Sequence, residues 1–292
     1  MGKIKWILIL LLIGVAFALG IYFKDSFLKI TKNFESTINE FQKINIDSVI
    51  KEVKKEVFTT EPLNIGGKSN DAVFLKSKII EETNKHRISN SLPILLENTM
   101  LYNAAVAKTN DMFLKQYFEH TSPTGIDPGK LVSSYGYEYI ITGENLILGN
   151  FKSEAEIVQD WMNSPGHRAN ILNKNYTEIG VAVIKGIYKG ETVWIAVQEF
   201  GLPLSNCNHP DENLKNKIED GQLHLEQLSY NLEQKKVEIE KTDKKASYYN
   251  QLLDDYNQMV KEYNFLNENL KNFISQYNGQ VNAFNNCVSG AQ

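Results

Sequence analysis

Ser153-Glu-Ala-Glu156-Ile-Val-Gln-Asp160-Trp161-Met-Asn-Ser164-Pro-Gly-His167-Arg-Ala-Asn-Ile-Leu172 is the stretch on which the reading of the fold turns. Ser153 and Glu156 have the spacing of a capping box, in which a hydroxyl and a carboxylate satisfy N–H groups that a helix start leaves open, so a helix is expected through Trp161. Asn163-Ser-Pro-Gly166 ends it, and Ser164-Pro165 suits the start of a second, short helix carrying His167 to Leu172. Beyond it, Ile179, Val181 and Val183, then Val193, Ile195 and Val197, alternate on either side of a Gly186 to Gly190 turn, which predicts two strands. Upstream, helices are expected near 71–89 and near 98–117, the second with Leu101, Ala105 and Met112 on one face, followed by a loop-rich middle. Helices followed by a hairpin indicate an α/β sandwich.

Most of the prolines and glycines after the N-terminal region fall within this part of the chain, which marks it as the globular domain, taken as 69–206. The segment before it, 59–68, contains Pro62 and Gly66-Gly67 and reads as a linker. Residues 24–58 place Phe27, Ile30, Phe34, Ile38 and Phe41 three or four apart among polar residues, the pattern of an amphipathic helical stalk. Within 1–23, Trp6 to Phe23 is free of charge and, at 1.5 Å per residue, spans about 27 Å, enough to cross a bilayer. Lys3 and Lys5 precede it and Ala16-Phe17-Ala18 resembles a cleavage site, so 1–23 is either a membrane anchor or a signal peptide. Both alternatives place the rest of the chain outside the cytoplasm.

The C-terminal segment, 207–292, has no proline after Pro210 and keeps a 4-3 apolar spacing through Leu214, Ile218, Leu225, Leu228 and Leu232, and again through Tyr256, Val260, Tyr263, Leu270 and Ile274. One continuous helix would hold Cys207 and Cys287 about 120 Å apart, which forbids a bridge between them. The midpoint of the two cysteines is 247, beside the polar run Glu240 to Ser247, so the expectation is an antiparallel helical hairpin stapled by Cys207 and Cys287. A long dimeric coiled coil is the alternative.

Charge excludes one large class of function. With 31 Lys and Arg against 35 Asp and Glu, the formal charge is -4, so the chain offers no basic field for a nucleic-acid backbone. Two cysteines supply neither a disulfide-dense scaffold nor a cysteine zinc site. The signatures of serine hydrolases, zincins, dinucleotide-binding folds and EF-hands do not occur. What remains is a set of ionisable residues in turn-rich settings: His120 in Phe118-Glu-His-Thr-Ser-Pro, Glu144 in Gly143-Glu-Asn-Leu, and His167 in Ser164-Pro-Gly-His-Arg. Two imidazoles and a carboxylate can bind a divalent cation or pass protons near neutral pH, and each can also simply satisfy loop hydrogen bonds.

Taken together, Asn84-Lys-His-Arg87, Leu92-Pro93, Asp111-Met112, Phe118-Glu-His120-Thr-Ser-Pro, Gly143-Glu144-Asn145-Leu146, Trp161 through Leu172, Ile179-Gly-Val181 and Gln198-Glu-Phe-Gly201 resemble the CAP domain of cysteine-rich secretory, venom-antigen and pathogenesis-related proteins, in its prokaryotic SCP-like form. The resemblance covers 71–201. It implies a three-layer α-β-α sandwich whose cleft gathers two histidines and two acids, in some members with zinc. His120, Glu144 and His167 match three of the four. The second acid belongs three residues after the helix tryptophan, where this chain has Ser164, and Asp160, one turn earlier, is the candidate stand-in.

The functional expectation is a cell-surface or secreted binding or scaffolding module acting through this cleft, with a lipid, a glycan or a protein as ligand. One alternative is a zinc-assisted hydrolase of peptide or cell-wall bonds, with His120 and His167 on the metal and Glu144 as general base. A second assigns the work to assembly or adhesion through the C-terminal hairpin, where Tyr249, Tyr256, Tyr263 and Tyr277 recur on the seam, either against a partner or as core.

Overall fold

The structure is a computed structural model that describes residues 49–67 and 72–290. The described residues divide into two compact units, one of 50–209 with 283–290 and one made chiefly of 210–282. The expected anchor or signal peptide at 1–23, and the expected stalk as far as residue 48, lie outside the described residues. Among the described residues no helix is long and apolar enough to cross a membrane.

The first unit is a mixed sheet with helices packed on each face. Strand β4, Tyr139–Gly149, pairs antiparallel with the central strand β6, Glu191–Pro203, which pairs antiparallel with β5, Glu178–Tyr188. A short β3, Leu96–Glu97, adds parallel to β5. On the other edge of β4 lie two parallel segments, β1, Glu56–Phe58, and β2, Leu63–Gly66. The region expected as a linker, and the last residues of the expected stalk, therefore belong to the sheet. Val57 and Phe58 are β-formers that satisfy the open edge of β4, which a helix at that place could not do.

Successive residues of a strand face opposite sides, and both sides are covered. Leu146, Leu148, Val193, Ile195 and Val197 pack on Ala105 and Met112 of helix α2, Thr99–Lys115. Ile147, Ala196 and Phe200 face α1, Lys76–Ser89, through Ile79, together with Trp161 of α4, Glu154–Asn163, and Ile171 of α5, Pro165–Ile171. The helix starts are those the sequence indicates: Asn98 accepts from Met100 and Leu101 N–H, and Ser153 accepts from Glu156 N–H.

The middle read as loop-rich contains α3, Pro128–Ser134, and β4 itself, buried at all 11 positions. The hairpin turn is also tighter than expected. β5 continues through Gly186 to Tyr188, and the turn is Lys189-Gly190, both with positive φ (49° and 85°), the geometry that matches strand twist in a two-residue hairpin.

Helices α6, Glu212–Lys241, and α7, Tyr249–Gly290, form the hairpin, with 242–248 as the connection, and the second unit takes it as far as residue 282. Leu225, Leu228, Leu232 and Ile239 share one core with Leu252, Tyr256, Val260, Tyr263 and Leu270. Tyr256, Tyr263 and Tyr277 are buried there, so the tyrosine stripe is core. The Cys207–Cys287 disulfide is present. In the chain-entropy account, closing a loop with a sequence separation of 80 stabilises by about 4 to 5 kcal/mol.

Candidate functional site

Three different elements deliver the polar cluster. Helix α2 ends on Gln116, whose φ of 57° is left-handed, and the chain turns back so that Lys108, itself buried, donates to the carbonyls of Glu119 and His120. That amine fixes the backbone on which His120 stands. Glu144 is fully buried at the centre of β4, on the same face as Leu146 and Leu148. His167 lies on α5, where Ser164 occupies the N-cap and Pro165 the first turn; Ser164 Oγ is 2.8 Å from His167 Nδ1 and caps no helix N–H.

A chain of buried amides holds these elements in register. Asn170 Nδ2 donates to Asn145 Oδ1 at 3.0 Å, Asn145 Nδ2 donates to the His167 carbonyl at 3.1 Å, and Gln198 Nε2 donates to Thr83 Oγ1 at 2.8 Å. Each group is both oriented and satisfied, which makes the cluster rigid.

His120 is bonded at both nitrogens. Nδ1 is 2.6 Å from Glu144 Oε1, and Nε2 meets the carbonyl of Thr60 in the segment between β1 and β2. A carbonyl only accepts, so Nε2 carries a proton, and the contact between Nδ1 and Glu144 requires one further shared proton. Glu144 has a carboxylate neighbour as well. Glu199 is its register partner on β6, fully buried, with neither oxygen hydrogen-bonded to a donor among the described residues. Burial first, and the Glu144 charge second, push the Glu199 carboxyl well above its ordinary range. His167 is shifted the opposite way for an imidazole: burial, then the charge of nearby His120, lowers it to about 4. It is therefore neutral at physiological pH, with the Leu146 backbone acting weakly against the shift.

Both nitrogens of His120 and Nδ1 of His167 are engaged by Glu144, Thr60 and Ser164, and among the described residues no group of three or more His, Cys, Asp or Glu side chains is placed to hold a metal. Tetrahedral coordination at roughly 2.0–2.2 Å needs donors that converge. The chemistry the cluster does offer is hydrogen bonding, with a fixed imidazole N–H that already selects a peptide carbonyl.

Residues 80–200 match the model of the CAP family, the cysteine-rich secretory protein family. This segment is a CAP domain. The chain is similar to YkwD of Bacillus subtilis (strain 168), an uncharacterized protein, at 43% identity over 125 residues, covering 43% of this chain and 46% of that one. It is similar also to YlbC of the same organism, described as an uncharacterized membrane protein, at 28% identity over 113 residues, 39% of this chain and 32% of that one. The chain thus spans less than half the length of these curated relatives. Among solved structures, an extracellular protein containing a SCP domain from Bacillus anthracis str. Ames aligns with a TM-score of 0.36 and 29% identity, over 43% of this chain and 39% of that one.

Within the CAP domain the structure joins His120 to Glu144 and sets His167 close enough for their charges to interact. Glu144 sits on a strand where a loop was expected. Asp160 lies half-buried on α4, its carboxyl raised by burial and by Glu156, and it shares no hydrogen bond or ion pair with the cluster among the described residues. The second acid beside Glu144 is Glu199, which the sequence reading passed over. Its signal is the strand alternation: Val193, Ile195 and Val197 fix the inward parity of β6, and Glu199 continues that parity with a carboxyl among apolar side chains. Thr60 could not be anticipated, because nothing in 59–62 distinguishes it from any other turn. Arg87 is fully buried and donates to the carbonyls of Pro93, Ile171, Asn173 and Tyr176, which makes it a structural clamp.

Proposed function

We propose that the protein is an extracytoplasmic CAP-domain binding module whose ligand is held by hydrogen bonds in the cleft of His120, Glu144 and His167. The observation that carries this reading is the double engagement of His120. An imidazole anchored at Nδ1 by a buried carboxylate and presenting Nε2–H to a carbonyl is a recognition device, because it donates one directional bond without needing a metal. Export is supported by the charged-then-apolar N-terminal sequence and by the Cys207–Cys287 disulfide, a bond that persists in oxidising compartments. The N-terminal segment, if retained, tethers the module to the membrane.

The test is retention of the full chain on isolated peptidoglycan, on anionic lipid vesicles and on immobilised polypeptide. The expected result is binding to one of these that falls at least about tenfold in Glu144→Gln, the loss that one charged hydrogen bond explains. Release of hydrolysis products from a bound surface, abolished in the same variant, would establish an enzyme in its place. Binding indifferent to Glu144 and His120 would remove the cleft from the account.

A further inference from the structure

The His120 cluster is crossed by the protein's own chain. β1 runs parallel to β4 with Phe58 opposite Gly143, and β2 resumes the pairing with Leu63 opposite Ile147. Four residues, Thr59 to Pro62, therefore span a gap that β4 covers with three, Glu144 to Leu146. The extra residue makes the segment bow outward at Glu144, as a bulge does. At the top of that bow the Thr60 carbonyl receives the His120 N–H, while the Phe58 carbonyl lies 3.5 Å from Asn170 Nδ2. The opposite side of the cleft is shaped to the same segment. A Cβ added to Gly166 would stand 2.7 Å from Thr60 Cβ and closer still to its hydroxyl, so only glycine at 166 lets the segment pass.

The hydrogen bonds are made to the backbone of 56–66; of its side chains Val57, Phe58 and Ile65 remain exposed, while Thr60 packs against Gly166 and Leu63 is partly buried against the core. A site that engages carbonyls and a strand edge, and leaves most side chains in solvent, recognises extended polypeptide of varied sequence. We infer that the CAP cleft is a receptor for an extended peptide strand, and that residues 56–66 form a strap that occupies it in the resting protein and yields to a peptide in trans. The inference rests on the binding reading above and supplies its ligand class. A tethered strap competes at an effective concentration on the order of millimolar, so the closed protein binds free peptide weakly.

Gly166→Ala provides the means to open it, since alanine suits the first turn of α5 and collides only with the strap. The probe is a fluorescent peptide of the 56–66 sequence carrying Thr60→Gly, which clears the new methyl group. In the full chain, Gly166→Ala is expected to raise hydrogen exchange across 56–66 and to bind the peptide at least about tenfold more tightly than the unaltered protein. Adding Thr60→Gly to the same chain lets the strap close again and reverses both effects. Val57→Pro/Phe58→Pro opens the strap from its own side, because one of two consecutive positions must donate to β4, and gives the same result if Gly166→Ala does not fold. Raised exchange without peptide binding overturns the peptide ligand and leaves the binding reading to its own test on glycan and lipid. Unchanged exchange and unchanged peptide affinity in both variants overturn the strap.

Discussion

The α/β unit and the helical hairpin both bury apolar side chains but are held in different ways. In the hairpin each helix buries one stripe, the stripe repeats every three or four residues, and many equivalent contacts share the load. In the α/β unit strand β4 is buried on both faces and carries Thr142, Glu144 and Asn145 in its middle. Order there depends on single polar residues that each satisfy several partners: Arg87 on four carbonyls, Lys108 on two, and Asn145 and Asn170 between strands and helix. A repeated pattern tolerates loss, whereas a set of unique polar junctions does not.

Arg87→Ala should test that contrast most severely. It empties a fully buried site and strands four carbonyls, for a loss on the order of 4 kcal/mol. Arg87→Lys should recover little, because an ammonium cannot present the planar fork. Leu232→Ala, also fully buried but one of many seam residues, should cost roughly 2 to 3 kcal/mol. Hydrogen exchange measured separately over 72–209 and 210–282 checks both, since a chain of two units has no single unfolding free energy. Equal losses would break the contrast.

The same difference explains what could be read from the sequence. The hairpin and its bridge follow from heptads, a polar run near 247 and two cysteines, all local signals. The helix after Ser153 was legible from its capping box, the short one after Ser164 from Pro165 at its start, and that of 99–115 from its apolar face. β4 was not, because a strand covered on both faces shows no alternation, and its Thr-Gly-Glu-Asn centre has the composition of a loop. His120, Glu144 and His167 could be named from motifs, but their meeting, the place of Glu199 and the arrival of Thr60 are products of tertiary structure that no spacing encodes.

Acid and base should each lower the stability of the α/β unit, through different groups. The Glu199 carboxyl is raised in the folded protein, so above its ordinary value of 4.5 the unfolded chain releases a proton that the fold retains, and stability falls as pH rises. Glu199→Gln removes that loss. Its melting temperature should exceed that of the unaltered protein by a margin that widens from about pH 5 upward. His167 contributes the other limb: lowered from 6.5 to about 4, it stays neutral in the fold while the unfolded chain takes up a proton, and stability declines as pH drops through that interval. A Glu199→Gln margin that is flat with pH would mean that the buried pair shares no proton.

The most direct test of the account is nitrogen-15 NMR of the imidazoles in the full chain, with and without added zinc. A hydrogen-bonding cleft closed by its own strap predicts a His120 Nε2 proton shielded from water, a His167 that remains neutral to about pH 4, and no response of either ring to the metal. A His167 that titrates near 6.5, or zinc-induced shifts at His120 and His167 together, would contradict it and return the site to metal chemistry.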